Sequence, residues 1–344
     1  GVETYSLVFP GHACDESGYA NQVVALHALR SHTAPPSEPA PGWWRLQASR
    51  MRDVPEYPTC IMSDSLKCLA RDRGVRVLLT GYGGDDWLGG SPYHYADLLR
   101  RFGLGAFVRQ VRSDHVAGFI ERRLFSALHY GVWPLLPPWA RRAVKLIRSR
   151  APGPDWLDPG FAARTGLRDR LRRASAAAPA PTFAANDLHR QLNGGWHAHG
   201  MEMLDRSAAR WGLELRHPFH DRRVVELALT MPESERRRGA MSKLVLREAM
   251  RSRLPEAVRE RRDKADFSHV FAETLRAPDA RRIFETLVTA ELGWIQGQAA
   301  RQAYEQMSAS YSAGEPAYTA NVRPLWMLFG IEIWLRAALG RGTE

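Results

Sequence analysis

Residues 76–90, RVLLTGYGGDDWLGG, decide the fold class of this 344-residue chain. The apolar and β-branched residues 77–80 predict a short strand buried on both faces, as in a parallel sheet. Three glycines then allow a sharp turn and a close approach of backbone amides to a ligand: Gly81, Gly83 and Gly84. Asp85 and Asp86 follow the carboxyl end of that strand, where open α/β sheets place their binding sites. The stretch predicts an α/β protein with a site at this loop, although a solvated acidic turn has the same local pattern.

Composition limits the classes of partner. Apolar residues make up 44% of the chain and charged residues 25%, as in ordinary globular proteins. The formal net charge is +11 and comes mainly from arginine. This charge fits a polyphosphate ligand as well as a nucleic acid. Because the arginine runs are not interleaved with aromatic residues, nucleic acid is not the expected ligand.

The cysteines and the most apolar segment indicate the cellular compartment and whether the chain could span a membrane. Cys14, Cys60 and Cys68 are odd in number and lack metal-ligand spacing, which predicts reduced, partly buried thiols and a cytoplasmic protein. Residues 325–339, LWMLFGIEIWLRAAL, are too short and too charged to span a membrane. They predict a buried helix instead, and no membrane partner is expected.

The order of elements predicts a small sheet at the front of the chain and a large helical remainder. Strand-like residues 5–9 and a helix over 16–30 come first, followed by a loop over 31–42 and a helix over 57–73 that leads into the strand of residues 77–80. After residue 93 the strand signals stop. Helices are predicted over 94–150, with a break at WPLLPPW (133–139), and again from 188 to about 212, over 222–231 and 241–250, and in the last 25 residues. A loop is predicted over the Pro- and Ala-rich residues 151–186.

Three ordered stretches resemble the synthetase domain of the asparagine synthetase family, whose members are ATP-dependent amide-forming enzymes. They are LLTGYGGDDWLGG (78–90), LDRSAARWGLELRHPFHDRRVVELAL (204–229) and MSKLVLREAMRSRLPEAVRERRDKADFS (241–268). The resemblance implies an adenine nucleotide α-hydrolase-like parallel sheet of the pyrophosphate-loop ATPase type, followed by a large helical region. It covers most of residues 1–344 as one synthetase domain, with an α/β nucleotide part over 1–92 and a mainly helical part over 93–344.

Two features of the family are absent from this sequence. The first nucleotide loop, Ser-Gly-Gly-x-Asp-Ser, should precede the strand of residues 5–9, and no copy occurs. The amino-terminal glutaminase domain is absent as well. The chain begins with Gly1, almost inside a strand, so it is expected to be the downstream part of a longer protein that carries both features.

The resemblance implies ATP and Mg²⁺ as cofactors. Asp85 corresponds to the family's metal-binding aspartate, and Mg²⁺ prefers carboxylates together with phosphate oxygens. The nucleotide-binding positions that the resemblance assigns are Val8, Phe9, Gly81, Gly83 and Gly84. Asp86 is a weaker candidate for the metal.

Tyr82 departs from the glutamate that asparagine synthetases have at this position. A tyrosine here resembles β-lactam synthetase and carbapenam synthetase, in which it works with a glutamate further along the chain. Glu202 lies fifteen residues before His217, in the register of that glutamate. A phenol bonded to a carboxylate can accept the proton of an attacking ammonium. The alternative is that Tyr82 is a packing residue and that Glu202 lies on the surface of a helix.

Lys264 corresponds to the family's lysine that stabilises the tetrahedral intermediate and pyrophosphate. Its segment carries one residue more than the family pattern. The alternative interpretation is a surface lysine without a catalytic role. Lys243 is a second cation close in sequence. Four more charged residues are expected to form buried ion pairs that hold helices in place: Asp205, Arg206, Arg216 and Asp221.

The histidines do not predict zinc. His197 and His199 lie two residues apart on a helix, so that their rings should point to different faces. His217 and His220 follow without a Glu-x-x-His pattern, and a metal centre is not expected from them.

The sequence leaves three functions open. The first is an amide ligase that activates a small-molecule or peptide carboxylate as an acyl-adenylate for ammonia or an amine, with asparagine synthesis as its leading example and an upstream glutaminase domain or other ammonia source as partner. The loop tyrosine favours a second, a cyclase that closes a β-lactam or macrolactam. The third is a relative that binds nucleotide without catalysis.

Overall fold

The computed structural model describes residues 2–113, 124–137, 139–141, 153–174, 180–238 and 241–341. Most of them are helical. The described residues contain six short strands, β1 Glu3–Leu7, β2 Arg30–Ala34, β3 Val77–Leu79, β4 Glu214–Arg216, β5 Arg237–Arg238 and β6 Met241–Ser242.

The helices of the first half are α1 Ser17–Leu26, α2 Trp43–Met51, α3 Pro58–Ile61, α4 Asp64–Asp72, α5 His94–Arg100 and α6 Leu104–Ser113, then a π-helix Ala127–Val132 and a 3-10 turn Trp133–Leu135. The middle contains α7 Pro159–Arg164, α8 Leu167–Ala174, α9 Phe183–Leu192, α10 Gly195–Ala209, a 3-10 turn Pro218–His220, α11 Arg222–Thr230 and α12 Glu233–Arg236. The last part contains α13 Leu244–Ala249, α14 Glu256–Arg259, α15 Ser268–Arg276, α16 Pro278–Glu285, α17 Val288–Glu291, α18 Gly297–Ser312, a 3-10 turn Pro316–Tyr318 and α19 Thr319–Ala338.

The parallel strands form two separate pairs. Strand β1 pairs with β2, Glu3 opposite Arg30, and β3 pairs with β4, Val77 opposite Glu214. Within the part of the chain described, no ladder joins the two pairs. The expected α/β class is confirmed at this level, whereas a continuous adenine nucleotide α-hydrolase-like sheet is not.

Strand β2 was missed, since its residues were predicted as the end of a helix and the start of a loop. Its sequence, Arg-Ser-His-Thr-Ala, has no alternation of apolar and polar residues. It becomes a strand because it pairs along its full length with β1, and His32 contacts both Glu3 (3.3 Å) and the Tyr5 ring (5.2 Å). The expected burial of both faces of β3 was also wrong, because Leu79 is 71% exposed.

The helical predictions need correction in several places. The helix predicted over 241–250 begins only at Leu244, after β6, and the one predicted from 188 to about 212 is interrupted at residues 193–194. The loop predicted over 151–186 contains α7, α8 and the start of α9. Asp158 precedes α7, and its carboxylate caps the helix by accepting from the Phe161 amide at 2.7 Å. Helix α2 was not predicted, and the helix predicted over 57–73 is split at Met62 and Ser63. The predicted helices over 222–231 and at the end of the chain are confirmed. Residues 94–100, 104–113 and 124–132 are helical as predicted, and 133–135 form a 3-10 turn within the predicted break. Residues 114–123, 138 and 142–150 lie outside the described residues.

The largest apolar core joins both ends of the chain. Helix α19 buries ten of its residues. Its Trp326 contacts the Trp44 ring of α2 at 4.8 Å and the Phe271 ring of α15 at 6.0 Å. The front part of the chain is therefore packed onto the helical part.

A buried ion network fixes the end of α10 against α4. Arg210 donates to Glu56 at 2.9 Å and to Asp64 at 3.3 Å, and Lys67 donates to Asp64 at 3.1 Å. Burial raises the pKa of Glu56 in spite of the nearby Arg210 and Lys67 charges. This network positions α10, which carries four of the side chains discussed below.

The ion pairs that the sequence predicted are different from this network. Arg216 pairs with Glu214, and Asp221 with Arg223, both at the surface, so the expectation that these pairs are buried was wrong. Arg206 pairs with Asp53 at 2.7 Å and is about one third exposed, and Asp205 is exposed. Asp221 instead caps α11 through the Arg223 amide.

The cysteines are free thiols, with Cys14 and Cys60 buried and Cys68 half-buried. Among the described helices, none combines the length and apolar character needed to cross a bilayer.

Candidate active site

The glycine loop leaves β3 in a fixed direction. The Thr80 amide donates to the Arg216 carbonyl at 2.9 Å, and the Tyr82 amide donates to the Thr80 hydroxyl at 3.2 Å. That hydroxyl is also 2.6 Å from Nδ1 of His217. These bonds hold the start of the loop against the chain that follows β4.

Gly83 is required by its surroundings. Its φ of +94° lies in the left-handed region, and a Cβ at this position would be 2.6 Å from the His220 ring. Gly84 packs on Phe219 in the same way, since an added Cβ would lie 3.3 Å from the Phe219 ring. The loop therefore lies directly on the 3-10 turn Pro218–His220. The indole of Trp87, fully buried, ties the two together by donating to the Phe219 carbonyl at 2.7 Å.

Two lysines converge on Asp85. Lys264 Nζ lies 2.6 Å from Oδ2 of Asp85, and Lys243 pairs with Oδ1. Lys243 has a left-handed backbone, φ +59°, just before α13. Burial acts to raise the pKa of Asp85, but the two ammonium groups outweigh it, and the pKa lies below its usual value. The carboxylate is ionised at neutral pH.

The Asp85 carboxylate is suited to be one of the ligands of a magnesium ion. Its side chain is 53% exposed at the carboxyl end of β3, so its oxygens can be reached by an ion that keeps water and phosphate ligands. The two lysines add positive charge at the same carboxylate. This arrangement is consistent with the expected Mg²⁺ and ATP.

Tyr82 and Glu202 lie on neighbouring elements and make no hydrogen bond to each other in the described structure. The Tyr82 hydroxyl abuts Gly200 of α10, where an added Cβ would be 2.7 Å away. Glu202, two residues later, is exposed, and its side chain leaves the helix about 200° around the axis from Gly200. Burial, and after it the Asp86 carboxylate, raises the pKa of Tyr82, so its phenol stays protonated.

Val8 and Phe9 lie at the carboxyl end of β1. The Val8 amide donates to the Ala34 carbonyl at 3.1 Å, which continues the ladder with β2. Phe9 is buried against the Phe267 ring at 5.4 Å, and its amide donates to Asp15 at 3.2 Å. Phe9 thus lies against the segment that carries Lys264.

A cavity of about 340 Å³ opens beside Lys264 and Tyr82. Its wall is largely aromatic, formed by Tyr57, Tyr82, Trp196, Phe267, Phe271 and Trp326. Three lining residues carry charge: Lys264, Asp266 and Arg323. Apart from Tyr82 and Lys264, the sequence prediction missed this wall, because its members come from distant segments and form no local motif.

The histidines divide as the helix geometry predicts. His197 stacks on His220 with ring centroids 4.9 Å apart, whereas His199 contacts Tyr57 on another face of α10. Burial, followed by the charges of His197 and His217, lowers the pKa of His220. Burial also lowers the pKa of His217. Both rings are neutral at pH 7.

The glycine loop, Asp85, Lys243 and Lys264 lie together at one end of β3. The sequence profile of the family described as "Asparagine synthase" matches residues 1–336. A search of curated proteins finds no match to the chain. Because the profile spans nearly the full length, the chain belongs to the asparagine synthase family, the ATP-dependent amide-forming ligases.

Proposed function

We propose that this protein activates a carboxylate as an acyl-adenylate and joins it to ammonia or an amine. One observation carries the proposal. Lys243 and Lys264, from separate segments, both contact Asp85 at the glycine loop, beside a cavity that can hold an organic substrate. A cation pair around an exposed carboxylate suits the handling of a polyphosphate and its metal.

The proposed reaction has two steps. A carboxylate oxygen of the substrate attacks the α-phosphorus of ATP, and pyrophosphate leaves. The amine then forms the C–N bond, AMP leaves, and the nitrogen loses a proton. Lys264 and Lys243 offset the negative charge that develops on the phosphates and on the tetrahedral oxygen. Mg²⁺, held in part by Asp85, would supply further charge neutralisation when bound. We propose that the Tyr82 phenol, at the cavity wall, relays this proton, accepting it on oxygen while its own hydroxyl proton passes to solvent.

The cavity favours a second, narrower candidate within this class. Aspartate carries two carboxylates and an ammonium, and its recognition calls for several charged partners. The aromatic residues of the wall outnumber the charged ones, which are Lys264, Asp266 and Arg323. An aromatic wall supports a bulky apolar substrate, so closure of a β-lactam or macrolactam is favoured over asparagine formation.

Exchange of radiolabelled pyrophosphate into ATP tests the first step on the complete protein as its gene encodes it. Asp85→Asn should abolish carboxylate-dependent exchange while leaving the thermal midpoint close to that of the wild type, because the side chain is exposed and its removal opens no cavity. Asp72→Asn is the matched control, since Asp72 is also an exposed, paired aspartate.

Wild-type exchange in Asp85→Asn would reduce Asp85 to a turn residue. Absence of exchange in the wild-type protein, with ATP still bound and a broad set of amino-acid and peptide carboxylates supplied, would favour a non-catalytic nucleotide-binding relative. Exchange that responds to hydrophobic peptide acids but not to aspartate would favour the cyclase.

A further inference from the structure

A second group of potential metal ligands lies behind the glycine loop. Asp86, His197 and His220 each offer one ligand atom, and these atoms all lie within 4.8 Å of one another. They come from three different segments, the loop after β3, helix α10 and the 3-10 turn Pro218–His220. The fold, not a local motif, brings them together, so the sequence could not show the cluster.

The donor chemistry separates this group from Asp85. Two imidazoles and one carboxylate suit Zn²⁺ and its first-row neighbours, whereas Mg²⁺ prefers oxygen ligands. Asp85 is engaged by Lys243 and Lys264. The adjacent aspartates therefore face different surroundings, one cationic and one rich in imidazole.

The surroundings hold the two imidazoles in place. The Trp87 indole lies edge-on to both rings, at 4.9 Å from His220 and 5.4 Å from His197. The Tyr82 ring stacks on His220 at 5.3 Å, and Gly83 leaves the space that the His220 ring occupies. His220 Nε2 is buried without a hydrogen-bond partner among the described residues. A buried ring nitrogen without a partner is costly unless a ligand satisfies it.

We propose that Asp86, His197 and His220 bind a divalent first-row transition-metal ion, with Zn²⁺ the best fit. Three protein ligands leave one position of a tetrahedral site for water or a small anion. The ion would cross-link the glycine loop, α10 and the turn after β4. It would thereby fix the Tyr82 ring, which stacks on the same histidines. This site is additional to the nucleotide metal and does not depend on the proposed reaction.

The test uses untagged protein stripped with chelator and then dialysed into excess Mg²⁺, so that hard-cation sites are filled. Calorimetric titration with Zn²⁺ should give one equivalent of binding, and the thermal midpoint should rise with Zn²⁺ concentration. Titration with Co²⁺ should give visible absorption bands of a nitrogen- and oxygen-ligated ion. Trp87 lies against the ligands, so quenching of tryptophan emission by Cu²⁺ should be smaller in Trp87→Phe.

Conservative variants assign the ligands. His197→Gln and Asp86→Asn should each weaken Zn²⁺ affinity by more than about tenfold, since loss of even an outer-shell partner costs that much. His199→Gln is the matched control, because it removes a histidine from another face of the same helix and should leave binding intact. His220→Gln is the third ligand variant; if it does not fold, the other two still decide the assignment.

Three outcomes would overturn the proposal. One is the absence of stoichiometric Zn²⁺ binding in excess Mg²⁺, which would leave the rings as a packed stack. Another is binding that His197→Gln and Asp86→Asn do not weaken. The third is a thiolate-to-cobalt charge-transfer band, which would place the ion at one of the free cysteines, such as Cys14, whose Sγ lies 4.0 Å from Nε2 of His269.

Discussion

Asp85 and Asp86 are adjacent in the chain, yet their side chains meet different partners. Asp85 lies between two ammonium groups, and Asp86 lies near two imidazoles. The sequence identified Asp85 by resemblance and ranked Lys243 below Lys264. The structure gives the two lysines equivalent contacts with Asp85, so their separate contributions have to be measured.

Lys264→Met should lower the rate of amide formation by about 10²-fold or more, as expected for loss of a preorganised charge contact. Nucleotide affinity should fall less than turnover, because the contact matters most when charge develops. Single-turnover rates and ATP binding by calorimetry separate the two effects. Arg262→Met removes the same charge two residues away and should change neither; equal losses in rate and affinity for Lys264→Met would indicate simple electrostatic attraction.

Tyr82→Phe should spare ATP–pyrophosphate exchange and suppress amide formation, because only the second step releases a proton from the amine. Glu202→Gln should have the same effect if the two side chains act as one unit. The double variant should then be little worse than either single one. Both half-reactions are measured on each variant. If Tyr82→Phe strongly slows amide formation and Glu202→Gln does not, the phenol alone takes part in removing the amine's proton.

Helix α10 presents different residues to different partners along its length. His197 contacts Tyr82, His199 contacts Tyr57, and Gly200 receives the Tyr82 hydroxyl. Glycine is a poor helix former, costing about 1 kcal/mol relative to alanine. Its presence at position 200 is explained by the close approach of the phenol.

Gly200→Ala should displace the Tyr82 phenol, because the added Cβ would lie 2.7 Å from the hydroxyl. We expect amide formation to fall while stability changes little, since the gain in helix propensity offsets the contact. Gly195→Ala on the same helix meets nothing within 4 Å and should leave activity intact. Thermal midpoints and amide-forming rates of the two variants are compared. Equal activity in both would show that the position of the phenol is not critical.

Within the described residues, strand β3 has a hydrogen-bonded partner on one edge and none on the other. The unpaired edge leads to a prediction about a longer protein. Arg76 and Thr80 bond to β4, so the amides of Val77 and Leu79 point the other way. We expect a further strand, carrying the Ser-Gly-Gly-x-Asp-Ser loop, to pair here and to cover Leu79. Hydrogen exchange should then be slow at these two amides in a protein that includes such a strand and fast in residues 1–344 alone. Equal exchange in both proteins would contradict this pairing.

Sequence patterns predicted the elements that form because of their own local residues. Residues 77–80 followed by glycines, and the apolar last helix, were predicted because burial leaves a local signature. Strand β2 was missed because its ladder with β1 depends on a partner more than twenty residues away. The aromatic cavity and the cluster of Asp86 with His197 and His220 were missed for the same reason. Motif resemblance supplied Asp85 and Lys264, whose contact with each other no spacing could predict.

At the scale of the whole molecule, charge sets the response to acid. Positive side chains outnumber negative ones by 48 to 37. The Arg73 hydrogen bond, with help from Tyr5, lowers the pKa of Glu3 from 4.5 to about 2, and Arg223 lowers the pKa of Asp221 from 3.8 to about 2. For such groups the unfolded chain binds more protons, so their stabilisation is present above the unfolded pKa and is lost as the pH falls.

The urea midpoint should therefore decrease as the pH is lowered from about 4.5 towards 2, where these carboxylates take up protons. Growing positive charge adds to the loss, and added salt should reduce it. Glu56 and Glu233, whose pKa values burial raises, act in the opposite direction. A variant with Glu3→Gln and Asp221→Asn should show a flatter profile in this window. A flat profile in the wild type would mean that these pairs persist when unfolded.

The contact of Trp44 with Trp326 has a consequence for synthesis on the ribosome. The two rings are separated by 282 residues, and α19 is among the last segments of residues 1–344 to be made. At a translation rate of about 5–20 residues per second, roughly 15–60 s pass between the synthesis of Trp44 and that of Trp326. During that interval the nascent chain presents aromatic surface that it cannot yet cover. Expression yield should therefore respond to translation speed and to chaperones that hold nascent chains.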